Sequence, residues 1–445
     1  MTTLVAIIGG GCAGLGAARE LLRKGKKDIE VVLIEAFDRL GGRAWTVTDG
    51  GFPFDLGPQF IQDPGINPWK DIAADLNIGT VPSNPSTVYR LLGEAGWRDA
   101  VPGKDEPKRI VEVRNLLQLA YKDATKWSNK PPLAQSLGTD AEAQIALGSE
   151  AEGSIAESAE PWQYIASDRA RQKDVADEDA GIEYVKGGLG TLVESFGAWL
   201  QKKFDPLLKV LTGQVVTCIR WMPTDQKLEI TAGYKPLLIA DYCIVTVPCS
   251  ALPRIAFIPP LDQKRVVANA YIVLGSYKKV AFCPQPMPKE IEPDHQYFVF
   301  DYRMQGCWQY FRLPTAPEAL IGVASGNFAA RLDRLNDETA AGCFTDALTA
   351  AYPKSPFAPK TKPLVTNWSN QPNVWGAYSY TRYDGGDPDN PTAFNAREQI
   401  GKSHVDGHIL FAGEATWTDA YGTIHGAYRS GERAARTILK QLGLS

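Results

Sequence analysis

Gly9-Gly10-Gly11-Cys12-Ala13-Gly14, near the N-terminus, has the spacing G-x-G-x-x-G. Glycines so placed let the chain turn sharply out of a strand (Gly9), bring bare backbone against a diphosphate (Gly11) and seat the next helix close on the strand (Gly14). A helix opening there aims unpaired N–H groups and its positive dipole end at the phosphates. Glu35 closes a second apolar run, where a carboxylate accepts a hydrogen bond from a ribose hydroxyl. Just beyond, Arg39-Leu40-Gly41-Gly42-Arg43 sets two glycines before a guanidinium whose fork suits the same anion. Together these residues predict dinucleotide binding.

The elements that must position them are legible as patterns. Leu4 to Ile8 is continuously apolar and rich in β-branched residues, as in a strand buried on both faces. Ala17, Ala18, Leu21 and Leu22 recur at helical spacing, and Val31 to Ile34 reads as a second buried strand. Residues 213–219, 228–231 and 240–248 read as further strands, the last closing the cofactor half. From Ser83 to Tyr184 the pattern is helical, clearest over Ile110 to Ala124. Asp140 to Glu160 is acidic and Ala/Ser-rich, which suits a solvated helix or mobile surface loop. Ala256 to Trp368 reads as an antiparallel sheet with helices, strand-like at 271–280, 297–302, 306–311 and 320–324. Side chains alternate across a strand, so only one of Lys278 and Lys279 faces inward, and Lys278 is expected at the solvated surface.

At 445 residues the chain is long enough for two domains with separate cores. A net charge of −4 with dispersed basic residues gives no reason to expect a nucleic-acid partner. Seven scattered cysteines, without a C-x-x-C pair, fit reduced thiols in a cytoplasmic protein better than a disulfide frame or a metal site. The first strand starts at Leu4 and no run of about 20 apolar residues occurs, so a soluble protein without membrane association is expected.

With the Gly41-Gly42-Arg43 segment included, the chain resembles the flavin-containing amine oxidases, a family of monoamine, polyamine and L-amino-acid oxidases. Phe54-Asp55-Leu56-Gly57, Asn67-Pro68, Tyr184 to Leu192, and Trp368, Pro372, Gly376 and Tyr378 each match a family landmark. So do Gly413-Glu414 and Gly422-Thr423-Ile424-His425-Gly426-Ala427, where the fit is closest to polyamine oxidases. The resemblance implies an α/β fold, with a Rossmann-type FAD-binding domain (1–83, 184–255 and 367–445) and a substrate domain (84–183 and 256–366). The substrate domain is expected to be a mixed or antiparallel sheet flanked by helices. It further implies FAD contacts at Gly9, Gly11, Gly14, Glu35, Gly42, Arg43, Gly57, Val216, Gly413, Glu414, Gly422, Thr423 and Ile424. Lys279 matches the family lysine that is water-bridged to flavin N5, and Tyr378 matches one ring of the amine cage. Phe60, Gln62 and Thr423 match positions that face substrate.

The sequence departs from the family at four of these places. Pro58 lacks a backbone N–H beside the flavin. Gln62 stands where polyamine oxidases carry Glu or His. Thr423 replaces the second cage ring, which suggests a bulky amine, a polyamine or a natural-product amine or amide. Ala377 replaces the cysteine that would bind flavin covalently, so FAD is expected to be non-covalent. His425 is expected to be structural, since neither a nucleophile nor a metal set accompanies it. The implied reaction moves hydride from a carbon next to nitrogen to FAD and then electrons to O₂, giving H₂O₂. The alternatives are a desaturase or protoporphyrinogen-oxidase-like enzyme, and a non-catalytic flavoprotein scaffold. A homodimer is compatible with the sequence.

Overall fold

A computed structural model of the protein describes residues 2–122, 140–150, 181–355, 357–381 and 395–444. The apolar run at the N-terminus forms the central strand Thr3–Ile8 of a five-stranded parallel sheet. Its neighbours are Ile29–Ile34 on one side and Tyr242–Val245 on the other, with Leu208–Leu211 and Ile409–Phe411 at the edges. Both faces are covered, which is why no polar alternation marks these strands. Val5 and Ile7 pack with the helices Cys12–Gly25, Leu189–Lys203 and Ile424–Gln441. Ala6 and Ile8 pack with a four-stranded sheet built from strands between Val216 and Ile258. The sheet is therefore assembled from the two ends of the chain and its middle.

A second, seven-stranded sheet takes its strands in the order Leu364–Val365, Tyr277–Phe282, Ala316–Ser325, Gly306–Leu313, His295–Asp301, Ser86–Gly93 and Gly96–Ala100. It is antiparallel except where Ser86–Gly93 runs parallel to His295–Asp301. The hairpin 86–100 corrects the expectation of helix throughout Ser83 to Tyr184. Val88 packs into one core and Tyr89 and Leu91 into another, a period-two pattern, and Gly93 pairs with Gly96 across a two-residue turn. Helices Lys108–Lys122 and Ala141–Glu150 then follow. Within Ala141–Glu150, Ala143, Ile145, Ala146 and Leu147 are buried, so the first half of the acidic segment is packed rather than merely solvated. Its second half, 151–160, lies outside the described residues.

The helices Gly326–Leu332 and Asp337–Ala351 cover one face of the large sheet over Val280, Phe282, Trp308 and Tyr310. Lys278 belongs to that covered face, which corrects its expected exposure. It is fully buried, with Nζ 3.1 Å from Asp333 Oδ1. Adjacent lysines on a strand thus point into two different interiors. All seven cysteines are free thiols. Among the described residues no helix is long and apolar enough to cross a membrane.

Candidate functional site

A cavity of about 930 Å³ runs from the end of the parallel sheet to the face of the seven-stranded sheet that carries Gln296 and Gln309. At its first end the strand Thr3–Ile8 leaves the sheet through Gly9, whose φ of +110° is a conformation that glycine adopts freely. A Cβ on Gly14 would stand 1.9 Å from the Gly9 carbonyl oxygen, so strand and helix approach as closely as the motif requires. Gly11 caps the helix Cys12–Gly25 without any side-chain hydrogen bond, leaving the helix start open toward the cavity it lines. Glu35 is buried beside it, Oε2 accepting from Gly10 N at 2.6 Å and Oε1 from Phe37 N at 2.9 Å. Burial pushes its pKa up, against the opposing pull of those N–H groups. Gly42 (φ +57°) and Val216, at the start of the strand Val216–Met222, line the same stretch.

Arg43 lines the cavity but is already engaged. Its Nη1 donates to the Ala377 carbonyl at 2.6 Å and to Glu414 Oε1 at 2.9 Å. Glu414 is buried and saturated. It also accepts from Ser379 N at 3.2 Å, Ser379 Oγ at 2.6 Å and Gly422 N at 2.9 Å. Burial alone would raise its pKa, yet Arg43, Arg397 and the Ser379 hydroxyl outweigh that and hold it below the usual carboxylate range. The Glu414 side chain therefore fastens three segments distant in sequence, with Gly413 and Gly422 on either side of it lining the cavity.

Lys279 stands at the sheet end, buried, with Nζ donating to the carbonyls of Asp55 (3.0 Å) and Gly57 (2.6 Å) and to Gln59 Oε1 (3.1 Å). Burial draws its pKa down to about 8, with Asp55 opposing. Three acceptors match the three N–H bonds of an ammonium, so in this arrangement none is left over for a water. A Cβ on Gly57 would lie 1.9 Å from the Arg43 carbonyl oxygen, which explains the glycine. Asp55 accepts from Leu189 N and Gly190 N, each at 2.9 Å, and so caps the helix Leu189–Lys203.

Much of the remaining lining is aromatic or neutral, with Arg254, Asp294 and Arg312 as charged members. The rings of Tyr277 and Tyr378 lie 6.0 Å apart, and those of Phe60 and Tyr184 5.9 Å apart. Gln62, exposed on the strand Ile61–Gln62, and Thr423 join them. Thr423 also N-caps the helix Ile424–Gln441, its Oγ1 accepting from Gly426 N at 3.0 Å. Ile424 lines the cavity beside it. His425 is buried and in contact with Asn67 (Nδ2 to Nδ1, 3.2 Å), and burial lowers its pKa to about 4. On the cavity face of the large sheet, Gln309 Nε2 donates to Gln296 Oε1 at 2.8 Å, and Gln296 Nε2 to Thr87 Oγ1 at 2.9 Å. The cavity thus brings together every residue expected at the site except Gly14, which lies behind Gly9. Gln59, Tyr184, Tyr277 and the Gln296–Gln309 pair escaped sequence reasoning. Strand alternation from Lys279 reaches Tyr277; nothing local singles out the others.

The surfaces fit FAD. The uncapped helix start at Gly11, bare backbone at Gly42 and a carboxylate at Glu35 suit a dinucleotide. At the other end, Gln59 Nε2 is a buried donor with no partner among the described residues, as expected where a ligand supplies the acceptor.

The comparisons with known proteins agree. A family model described as flavin containing amine oxidoreductase matches residues 12–439. The probable polyamine oxidase 4 of Arabidopsis thaliana is 26% identical over 469 residues, spanning 99% of this chain and 88% of the relative. The cyclohexylamine oxidase from Brevibacterium oxydans superposes with a TM-score of 0.78 at 20% identity, covering 100% of both chains. A wild-type putrescine oxidase bound to putrescine gives 0.75 at 21% identity and 99% of each chain. At these identities the two structures speak for the fold.

Proposed function

The chain belongs to the flavin-containing amine oxidoreductases, and from that premise we propose an FAD-dependent amine oxidase acting on a bulky amine with a neutral polar body. The carrying observation is a single cavity that joins the Gly9–Gly14 cradle to the buried Lys279 and the aromatic lining. FAD, once bound, would accept hydride from the carbon bearing nitrogen and pass the electrons to O₂. The segments 1–83, 184–255 and 367–445 would hold it, and 84–183 with 256–366 would shape the substrate space. Gly9, Gly11, Gly42 and the start of the helix Cys12–Gly25 would take the diphosphate, with Gly14 behind them, and Glu35 the ribose. Val216, Gly57, Gly413, Gly422 and Ile424 would lie along the cofactor. Arg43 and Glu414 would tie the two halves of the cradle together, in addition to any phosphate contact Arg43 makes through its remaining N–H groups.

Lys279 would keep a positive charge beside the reacting end of the flavin, the charge that electron transfer to O₂ favours. Tyr378, Phe60 and Thr423 would align the reacting carbon and keep water away. Gln62, Gln296 and Gln309 are uncharged, and among the described residues Asp294 is the only carboxylate at the substrate end, with Arg312 also in the lining. That balance supports a substrate with amide or hydroxyl groups over a polycation. The family match disfavours a desaturase or protoporphyrinogen-oxidase-like enzyme and a scaffold without catalysis. Seven free thiols suit a reducing, cytoplasmic setting. A peroxide-coupled screen over secondary amines, amino-acid amides, simple alkylamines and polyamines tests the reading. Peroxide formed fastest with spermidine or putrescine would overturn the neutral-body assignment, and no peroxide from any amine would overturn the oxidase.

A further inference from the structure

We propose that Gln59 is a cofactor-contacting residue whose amide, oriented by Lys279, presents Nε2 as a hydrogen-bond donor to the redox end of the bound flavin. It would stand in for the backbone N–H that Pro58 lacks. The inference rests on the reading that Lys279 stands at that end.

The orientation of the amide follows from its neighbour. Gln59 Oε1 lies 3.1 Å from Lys279 Nζ, and an ammonium offers donors only, so the amide oxygen must be the atom that faces it. The nitrogen is then turned away from the lysine with both hydrogens unused. Nε2 is buried and has no partner among the described residues, although Gln59 is only 6% exposed and lines the cavity. Buried side-chain donors without partners are rare in folded proteins and call for an acceptor from outside the chain. The acceptors a flavin offers at its redox end are a ring nitrogen and a carbonyl, and reduction adds negative charge to that system. A fixed donor aimed there binds the reduced form better than the oxidised form, and so raises the midpoint potential. The competing account makes Gln59 only the third oxygen around the Lys279 ammonium. That account uses Oε1 and leaves Nε2 unexplained.

Anaerobic dye equilibration of the FAD-loaded fraction separates the two, because a potential belongs to loaded molecules whatever their yield. Gln59→Leu removes donor and acceptor, whereas Gln59→Glu keeps an oxygen for Lys279 and loses the donor. Both should be about tenfold harder to reduce than wild type at a fixed poise, a shift of about 30 mV for a two-electron couple. A wild-type potential in Gln59→Leu, or a shift in Gln59→Leu that Gln59→Glu restores, overturns the donor role. Lys279→Met is measured alongside. If it alone shifts the potential, the inference about Gln59 falls and the placement of Lys279 stands. If neither residue shifts it, the placement of Lys279 falls as well.

Discussion

Replacing Arg43 by alanine should damage the protein even without its cofactor. Glu414 is 5% exposed and ionised, with Arg43 Nη1 2.9 Å from its Oε1. Removing one partner of a buried ion pair costs about 3–5 kcal/mol, because the remaining charge stays desolvated. Glu414 keeps the Ser379 and Gly422 donors and the field of Arg397, which argues for the lower end, about 3 kcal/mol. Unfolding entropy grows with chain length, so in a protein this size the melting temperature should fall by about 3 °C. The pH dependence has a definite sign. The folded pKa of Glu414 is depressed, so its contribution is present above the ordinary carboxylate pKa and is lost as pH falls through the folded value. Without Arg43 burial wins and that pKa rises, so the penalty should shrink on acidification as Glu414 takes up a proton. Glu414→Gln in the Arg43→Ala background removes the stranded charge and should recover at least half the loss. Melting curves of apoprotein at pH 7 and pH 5, single and double variants together, supply the data. An Arg43→Ala apoprotein that melts with wild type while its FAD affinity drops would refute the clamp and leave a pure phosphate contact.

Three further outcomes are expected. Thr423→Tyr removes the cap to Gly426 and intrudes on the cavity. It should cost about 1 kcal/mol in stability and move activity from bulky amines toward benzylamine, read from melts and steady-state kinetics; a lowered melting temperature with unchanged specificity would leave only the cap. Acid precipitation should release all the flavin into the supernatant, since Ala377 offers no thiol, and a yellow pellet would contradict this. Lys279 carries its proton below about pH 8, so stopped-flow reoxidation of the reduced enzyme should slow as pH rises through about 8, and Lys279→Met should be slow and flat across that range.

The parallel sheet was legible because its strands are buried on both faces and announce themselves as unbroken apolar runs. The glycine cradle was legible because its requirements are steric and local. Strand Ser86–Gly93 was missed because its alternation is short, with Thr87, Arg90 and Leu92 at its less buried positions, and lies inside a stretch dominated by helix. Lys278 was misplaced because alternation says that two neighbours face opposite ways, and helices from residues 326–351 decide what lies on the far side. Glu414 could be aligned with the site, but its hydrogen bonds to Arg43 and Ser379 are tertiary and left no local pattern. Gln59 was invisible for the same reason, since its significance lies in an atom that finds no partner.

The parallel sheet also sets a timetable for the ribosome. Its central strand, Thr3–Ile8, is made well before its neighbour Tyr242–Val245 and the edge strand Ile409–Phe411, and the helix Ile424–Gln441 that packs on Cys12–Gly25 follows all of them. Until residue 242 is made, the glycine loop has its own strand and helix and the neighbour Ile29–Ile34, but one side of the central strand is unpaired. Its apolar faces stay incompletely covered until Ile424–Gln441 has been made. A nascent chain stalled before Ile424–Gln441 therefore has no closed cradle to offer a cofactor.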